Sequence, residues 1–120
     1  GRCVHVQGER SYTGSGTSLG SVMDASTANE ITQMMEGVVN NGTGYAAAID
    51  GVQVAGKTGT AQTGQFTAEG KERMNLWFAG FYPAEDPQYT IVVLQDGQTQ
   101  ATVSSAAVFA QLCTALHWLG

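Results

Sequence analysis

The residues with the clearest chemical potential form one short segment in the middle of the chain, Gly56-Lys57-Thr58-Gly59-Thr60. A glycine-rich segment with one lysine and two hydroxyl side chains can bind an anion in two ways. It can wrap a phosphate in a loop that opens a helix. Alternatively, it can lie on an edge strand, where an extended acyl donor pairs with the backbone. The flanking residues decide between these two chemistries.

The phosphate-loop pattern G-x-x-x-x-G-K-[ST] fits the segment from Gly51 to Thr58 letter for letter. That pattern requires a strand before its first glycine and a helix that begins at the Lys-Thr pair. Here the strand-like residues 52–55 fill the middle of the supposed loop, and Gly59 and Gly64 follow where a helix should begin. We therefore reject a nucleotide-binding loop.

The same residues, written VAGKTGTAQ, resemble the Lys-Thr-Gly motif of the penicillin-recognising serine enzymes. Three further segments are similar in order and spacing to class B penicillin-binding proteins. They are MMEGVV with a following GTG, WFAGFYP, and DPQYTIVVL. The resemblance extends from about residue 22 to residue 94, and on these motifs the chain is identified as a member of that superfamily.

The resemblance implies roles for four residues. Lys57 and Thr60 are expected to be catalytic, and Thr58, Gly59 and Thr60 to bind substrate. Lys57 would raise the local potential, and the two threonine hydroxyls would bind the terminal carboxylate of the substrate. The backbone N–H of Thr60 would form half of the oxyanion hole, and Gly59 would let the ligand approach the strand closely. No cofactor and no metal ion is implied.

The implied function is that of a peptidoglycan D,D-transpeptidase, which crosslinks the cell wall by serine acyl transfer. Its partners would be peptidoglycan stem peptides, β-lactam antibiotics and the remainder of its own transpeptidase domain. Its place would be the extracytoplasmic face of the bacterial cell membrane. Two alternatives stay open: a serine β-lactamase or D,D-carboxypeptidase, and a non-catalytic penicillin-binding-like interaction module.

Two of the three family motifs, Ser-x-x-Lys and Ser-x-Asn, are absent from these 120 residues. The positions three before Lys57 and Lys71 are Val54 and Ala68. We therefore expect residues 1–120 to be the C-terminal portion of a single transpeptidase domain, excised from a longer enzyme and inactive alone; a natural truncated paralogue is the alternative. The isolated chain should expose apolar sheet surface and be marginally stable or self-associating.

Composition excludes several other classes. The net charge is −5, and the five basic residues form no cluster, so we expect no nucleic-acid binding. No apolar stretch approaches the roughly 20 residues that cross a bilayer, so we expect no membrane contact by this segment. Cys3 and Cys113 fit no metal-ligand spacing; buried thiols are favoured, and a disulfide stays open. His5 and His117 lack a catalytic arrangement.

The hydrophobic pattern predicts an α+β fold in which helices pack on an antiparallel sheet. The first helix should begin after Thr27, which forms a capping box with Glu30, and should end at a left-handed Gly42. Its predicted core face is Ile31, Met34, Met35, Val38 and Val39.

Strands are expected at residues 3–6, 52–60, 76–81 and 89–94, the last of them buried. A loop is expected at 61–72, and turns at 50–51, 83–87 and 96–97. The final helix should run from about 102 to 119 and bury a stripe of Phe109, Leu112, Cys113 and Leu116.

Overall fold

The fold consists of three strands and two helices, seen in a computed structural model that describes residues 19–100 and 103–119. The elements are α1 (Ala25–Asn41), a single 3-10 turn (Tyr45–Ala47), β1 (Ala55–Phe66), β2 (Glu72–Tyr82), β3 (Tyr89–Gln98) and α2 (Ser105–Leu119). The strands form an antiparallel sheet in the order β1-β2-β3. The predicted α+β class and the order of elements from the first helix onward are confirmed. The strand predicted at 3–6 lies outside the described residues.

Helix α1 begins three residues earlier than predicted because Asp24, not Thr27, is its N-cap. The Thr27 backbone N–H donates to Asp24 Oδ1 at 2.9 Å, and this bond lowers the pKa of the Asp24 carboxyl. The predicted capping box of Thr27 with Glu30 was therefore wrong. The left-handed conformation predicted for Gly42 was also wrong, since its φ is −122° and its ψ −152°.

Only the C-terminal part of α1 packs into the core. Val39 is buried, whereas Met34 is 64% exposed and Ile31 is also exposed. The helix contacts β1 and the 3-10 turn, and Val38 in its last turn lies against Gly44. The prediction of a core role was thus wrong for Ile31 and Met34, whereas Met35 and Val38 are half-buried.

The hairpin of β1 and β2 is longer than the sequence suggested. Residues 61–66, predicted as loop, instead continue β1. They pair with β2, as Ala61 does with Asn75, and this pairing gives their backbone cross-strand hydrogen bonds. Only residues 67–71 form the turn. At the other end, β1 begins at Ala55 rather than at residue 52. The tight turn predicted at residues 50–51 is present and is closed by a bridge between Ile49 and Val52.

Strand β3 continues through the turn predicted at residues 96–97. Leu76 pairs with Gln95, and Met74 pairs with Gln98, so β3 has one extra residue there. This is a β-bulge, and Gly97 within it has a φ of +62°. The prediction that this strand is buried was wrong for one of its faces. Ile91 and Val93 are half-buried on one face, and Val92 and Leu94 are exposed on the other.

The core lies between the sheet and α2. The rings of Phe78 and Phe109 are fully buried with their centroids 4.8 Å apart. Within the predicted α2 stripe, Phe109 and Cys113 are buried, and Leu112 and Leu116 are half-buried, which confirms the face. The Cys113 thiol is free, whereas Cys3 lies outside the described residues. Neither helix of the described chain is long and apolar enough to span a bilayer.

Candidate active-site strand

The four candidate residues Lys57, Thr58, Gly59 and Thr60 lie together near the start of β1. They pair in register with Ala79, Phe78, Trp77 and Leu76 of β2. Within residues 19–100 and 103–119, β1 has β2 as its only partner strand, so its other edge is open. Because the Lys-Thr pair lies in extended backbone and opens no helix, the structure supports rejection of the phosphate loop.

The two faces of the sheet differ in what covers them. On the first, the covered face, Thr58 and Thr60 share their side with Phe78, and α2 packs there through Phe109. The second, the open face, consists of Lys57, Gly59, Ala79 and three exposed apolar side chains, Trp77, Val92 and Leu94. Alternation along the strand therefore places the Lys57 Cβ on the face opposite the Thr58 and Thr60 side chains. The long lysine side chain nevertheless reaches Thr58.

The Lys57 ammonium group contacts the next residue of the strand, Thr58. Nζ donates to the Thr58 backbone oxygen at 3.0 Å and lies 3.5 Å from Thr58 Oγ1. Nζ can reach the Thr58 carbonyl most directly if that carbonyl points to the open edge of the strand. In a strand, the backbone groups of residues two positions apart point in the same direction. The geometry thus indicates that the backbone groups of Thr58 and Thr60 both face the open edge.

A second contact supports this direction for Thr60. Leu76, its cross-strand partner, accepts a hydrogen bond at 2.8 Å from Ser105 Oγ at the start of α2. Ser105 lies on the side of the β3 bulge, because its hydroxyl is also 3.1 Å from Gln95 Oε1. A Leu76 carbonyl directed toward β3 leaves Thr60 in a non-hydrogen-bonded pair, with its N–H directed outward.

The two glycines that flank the Lys-Thr pair have different surroundings. A Cβ on Gly56 would overlap the Phe78 ring, so packing demands glycine there. A Cβ on Gly59 would meet only the Trp77 Cβ, at an ordinary 3.5 Å. Packing within the described chain therefore does not require glycine at position 59.

A cavity of about 320 Å³ adjoins the threonine side of the strand. Residues with hydroxyl side chains make up most of its lining, namely Thr43, Tyr45, Thr58, Thr60, Ser104 and Ser105, and its apolar lining includes Leu76 and Ala106. Thr43 Oγ1 is 3.2 Å from Thr58 Oγ1. Thr43 and the two serines had not been identified as candidates from the sequence. The only signal for Thr43 was its place in the quoted GTG segment.

The other titratable side chains of interest are His117, which contacts Tyr82, and the acidic pair Glu85 and Asp86. His117 Nδ1 is 2.7 Å from the hydroxyl of Tyr82, and burial raises the pKa of that phenol. Glu85 and Asp86 are exposed in the bend between β2 and β3. The described part of the chain holds no group of three His, Cys, Asp or Glu side chains near enough together to bind a metal ion. His5 lies outside the described residues.

Comparison with solved structures defines the class of this fold. A D,D-transpeptidase domain from Eggerthella lenta superposes with a TM-score of 0.70 at 39% identity, covering 94% of this chain and 25% of that one. Penicillin-binding protein 3 from Mycobacterium tuberculosis, solved with ampicillin, gives a TM-score of 0.67 at 32% identity, covering 82% of this chain and 25% of that one. The sheet and its helices are thus those of a transpeptidase domain.

Sequence comparison gives the family. The profile of the penicillin-binding protein transpeptidase domain matches residues 6–114, and the chain therefore belongs to that family. A peptidoglycan D,D-transpeptidase FtsI homolog from Chlorokybus atmophyticus is 38% identical over 78 residues, 62% of this chain and 11% of that protein. Penicillin-binding protein PbpB from Mycolicibacterium smegmatis is 37% identical over 93 residues, 70% of this chain and 14% of that protein. The chain thus spans between a tenth and a seventh of these two relatives' length.

Proposed function

We propose that this chain is the C-terminal portion of a peptidoglycan D,D-transpeptidase domain and supplies its Lys-Thr-Gly strand. The observation that carries the proposal is the open edge of β1, where Lys57, Thr58, Gly59 and Thr60 adjoin a hydroxyl-lined cavity. Relatives named as D,D-transpeptidases and penicillin-binding proteins support the same activity for the intact protein.

In this proposal, an extended stem peptide or a β-lactam lies along the open edge of β1. Its carbonyl carbon is attacked by a serine outside these 120 residues, and a tetrahedral oxyanion forms. The outward N–H of Thr60 donates to that oxyanion, and a second donor comes from outside this chain. Gly59 keeps the edge free of a side chain, which explains a glycine that packing does not require.

The carboxylate of the ligand binds on the covered face, where the Thr58 and Thr60 hydroxyls enter the cavity. The ammonium group of Lys57 lies 3.5 Å from Thr58 Oγ1, so its positive charge adds to the attraction for the carboxylate. On the open face, the same ammonium group is available to a nucleophile and its proton-transfer partners. One strand thus provides carboxylate binding, part of the oxyanion hole and a cation.

The remainder of the domain is the proposed occupant of the open face. Trp77, Val92 and Leu94 expose 38%, 58% and 44% of their surface there. An apolar patch beside a functional lysine suits the packing of another part of the same protein. In the intact enzyme, this packing would bring the nucleophile to Lys57. We place that enzyme at the extracytoplasmic face of the bacterial membrane, where peptidoglycan crosslinking occurs.

Labelled penicillin added to the intact protein tests the proposal. We expect a stable covalent adduct on a serine outside residues 1–120, and no adduct on the isolated chain. An adduct that hydrolyses within seconds would indicate a β-lactamase, and a preference for water over an amine acceptor would indicate a carboxypeptidase. Failure to form any adduct would leave the non-catalytic interaction module in place of the enzyme.

A further inference from the structure

The hydroxyl of Thr43 contacts the hydroxyl of Thr58 across a gap of 15 residues in sequence. The Oγ1 atoms are 3.2 Å apart, which is hydrogen-bond distance, and either atom can donate. Thr43 lies between α1 and the 3-10 turn, and both threonines line the same cavity. This pair of hydroxyls thus joins the turn after α1 to the active-site strand.

The turn that holds Thr43 is fixed on both sides of this residue. The N–H groups of Gly42 and Gly44 both donate to the Val38 carbonyl, at 3.1 and 3.0 Å. Gly44 is buried, and a Cβ there would stand 2.9 Å from Val38 Cγ1 and 3.2 Å from Phe78 Cε2. Glycine at position 44 lets the turn approach the core closely, and the two backbone bonds limit the movement of Thr43.

The number of hydrogen bonds that the Thr58 hydroxyl can donate and accept indicates which threonine donates in the Thr43–Thr58 contact. A threonine hydroxyl has one proton to donate and two lone pairs that accept. An ionised carboxylate only accepts, so Thr58 must direct its own proton at the ligand. The Lys57 ammonium, 3.5 Å away, is one donor to Thr58 Oγ1, and Thr43 is the second group within reach.

We propose that Thr43 is a positioning residue, which donates to Thr58 Oγ1 and thereby directs the Thr58 proton toward the carboxylate of the ligand. With Lys57 and Thr43 both donating, the lone pairs of Thr58 are occupied and its proton is free for the ligand. This inference rests on the proposed function, because it assumes an anionic acyl donor in the cavity. Thr43 would act through Thr58 and not on the reacting carbonyl.

Variants of the intact protein test this role through the second-order rate constant of acylation by penicillin. Thr43→Val removes the hydroxyl at nearly constant shape and should lower the rate constant about three- to tenfold, the range for one hydrogen bond. Thr43→Ser keeps the hydroxyl and should stay within about twofold of the parent. Thr32→Val is the matched control, since the Thr32 hydroxyl is bonded to the Ala28 carbonyl inside α1.

Two readouts separate positioning from a structural effect. In a Thr58→Val background, Thr43→Val should cause no further loss, because its only route to the ligand has been removed. The ratio of rate constants for penicillin and its methyl ester should also fall in Thr43→Val, since the ester lacks the anionic carboxylate. If Thr43 had only a structural role, Thr43→Val would lower the rate constants for penicillin and its methyl ester equally. Its loss would also add to the loss caused by Thr58→Val.

The outcomes distinguish this inference from the proposed function. An intact parent protein that forms no adduct contradicts the proposed function and this role together. A parent that is acylated, with Thr43→Val unchanged or faster, contradicts the positioning role alone and indicates that Thr58 donates to Thr43. If Thr43→Val fails to fold, Thr43→Ala takes its place, and a loss in Thr43→Ser as large as in Thr43→Ala overturns the role.

Discussion

The ring of Phe78 occupies the space that a Cβ atom on Gly56 would need. Phe78 in turn packs on Phe109 of α2, with ring centroids 4.8 Å apart. The residue before Lys57 therefore rests directly on the core. This contact explains how β1, which has one neighbouring strand among the described residues, can hold Lys57 and the residues after it in a fixed position.

The first prediction concerns Gly56→Ala, which forces a methyl group against the Phe78 ring. Either the ring or the strand must shift, and we expect the free energy of unfolding of the intact protein to fall by about 1–3 kcal/mol. Denaturant titration would measure the change. Ala61→Gly, at an exposed position on the same strand, is a control for changing glycine content. A Gly56→Ala protein of parental stability would contradict the packing argument.

The second prediction concerns Gly59→Ala, where the added methyl meets only the Trp77 Cβ at 3.5 Å. We expect stability within about 0.5 kcal/mol of the parent, because no core atom is displaced. Acylation by penicillin should nevertheless slow at least tenfold, because the methyl would enter the space proposed for the ligand beside the strand. Melting temperature and acylation rate measured on one preparation would show whether the two effects separate. Equal loss of both would count against ligand approach as the reason for glycine.

The third prediction concerns the positive charge of Lys57. Lys57→Met keeps most of the side-chain length and removes the ammonium group, and we expect acylation to slow by about 10²-fold or more. Lys71→Met is the matched control, because Lys71 is an exposed lysine in the turn between β1 and β2. Stopped-flow measurement with a chromogenic cephalosporin would give both rates. Comparable small losses in the two variants would mean that Lys57 is only a surface lysine.

The fourth prediction concerns the hydrogen bond that joins β2 to the end of α2. The hydroxyl oxygen of the buried Tyr82 lies 2.7 Å from His117 Nδ1. Tyr82→Phe should lower the free energy of unfolding by about 0.5–1.5 kcal/mol without altering the acylation rate. A double-mutant cycle with His117→Ala would isolate the pair from the ring packing. A coupling energy of zero would show that the contact contributes nothing to stability.

The fifth prediction concerns Cys113, where burial raises the pKa of the thiol from 9.0 to about 12. Between these values the unfolded chain releases the thiol proton and the folded chain keeps it, so this contribution to stability falls as pH rises above 9. Below pH 9 the thiol is protonated in both states, and its contribution does not change with pH. A Cys113→Ala protein should therefore lose less stability than the parent over this range. Parallel slopes of unfolding free energy against pH would contradict burial of the thiol.

Much of the architecture followed from local sequence patterns. Two strands were predicted correctly, one from the apolar run that contains Phe78 and one from the β-branched run of β3. The buried face of α2 was predicted from the stripe that includes Phe109 and Cys113. These predictions succeeded because the side chains themselves supply the burial that stabilises each element. The errors fell where the stabilising partner is distant in sequence. Residues 61–66 are mostly polar and became strand only by pairing with β2, and Met34, on the predicted core face, is 64% exposed in the described fold.

Local sequence was enough to identify the four strand residues of the candidate site, because Lys57, Thr58, Gly59 and Thr60 are contiguous and their spacing is a local property. The folded arrangement was needed to show which sheet edge is open among the described residues, which face carries the lysine, and that Thr43 lies against Thr58. Those relationships depend on chain segments far apart in sequence, and a periodicity of two or 3.6 residues contains no information about which elements meet.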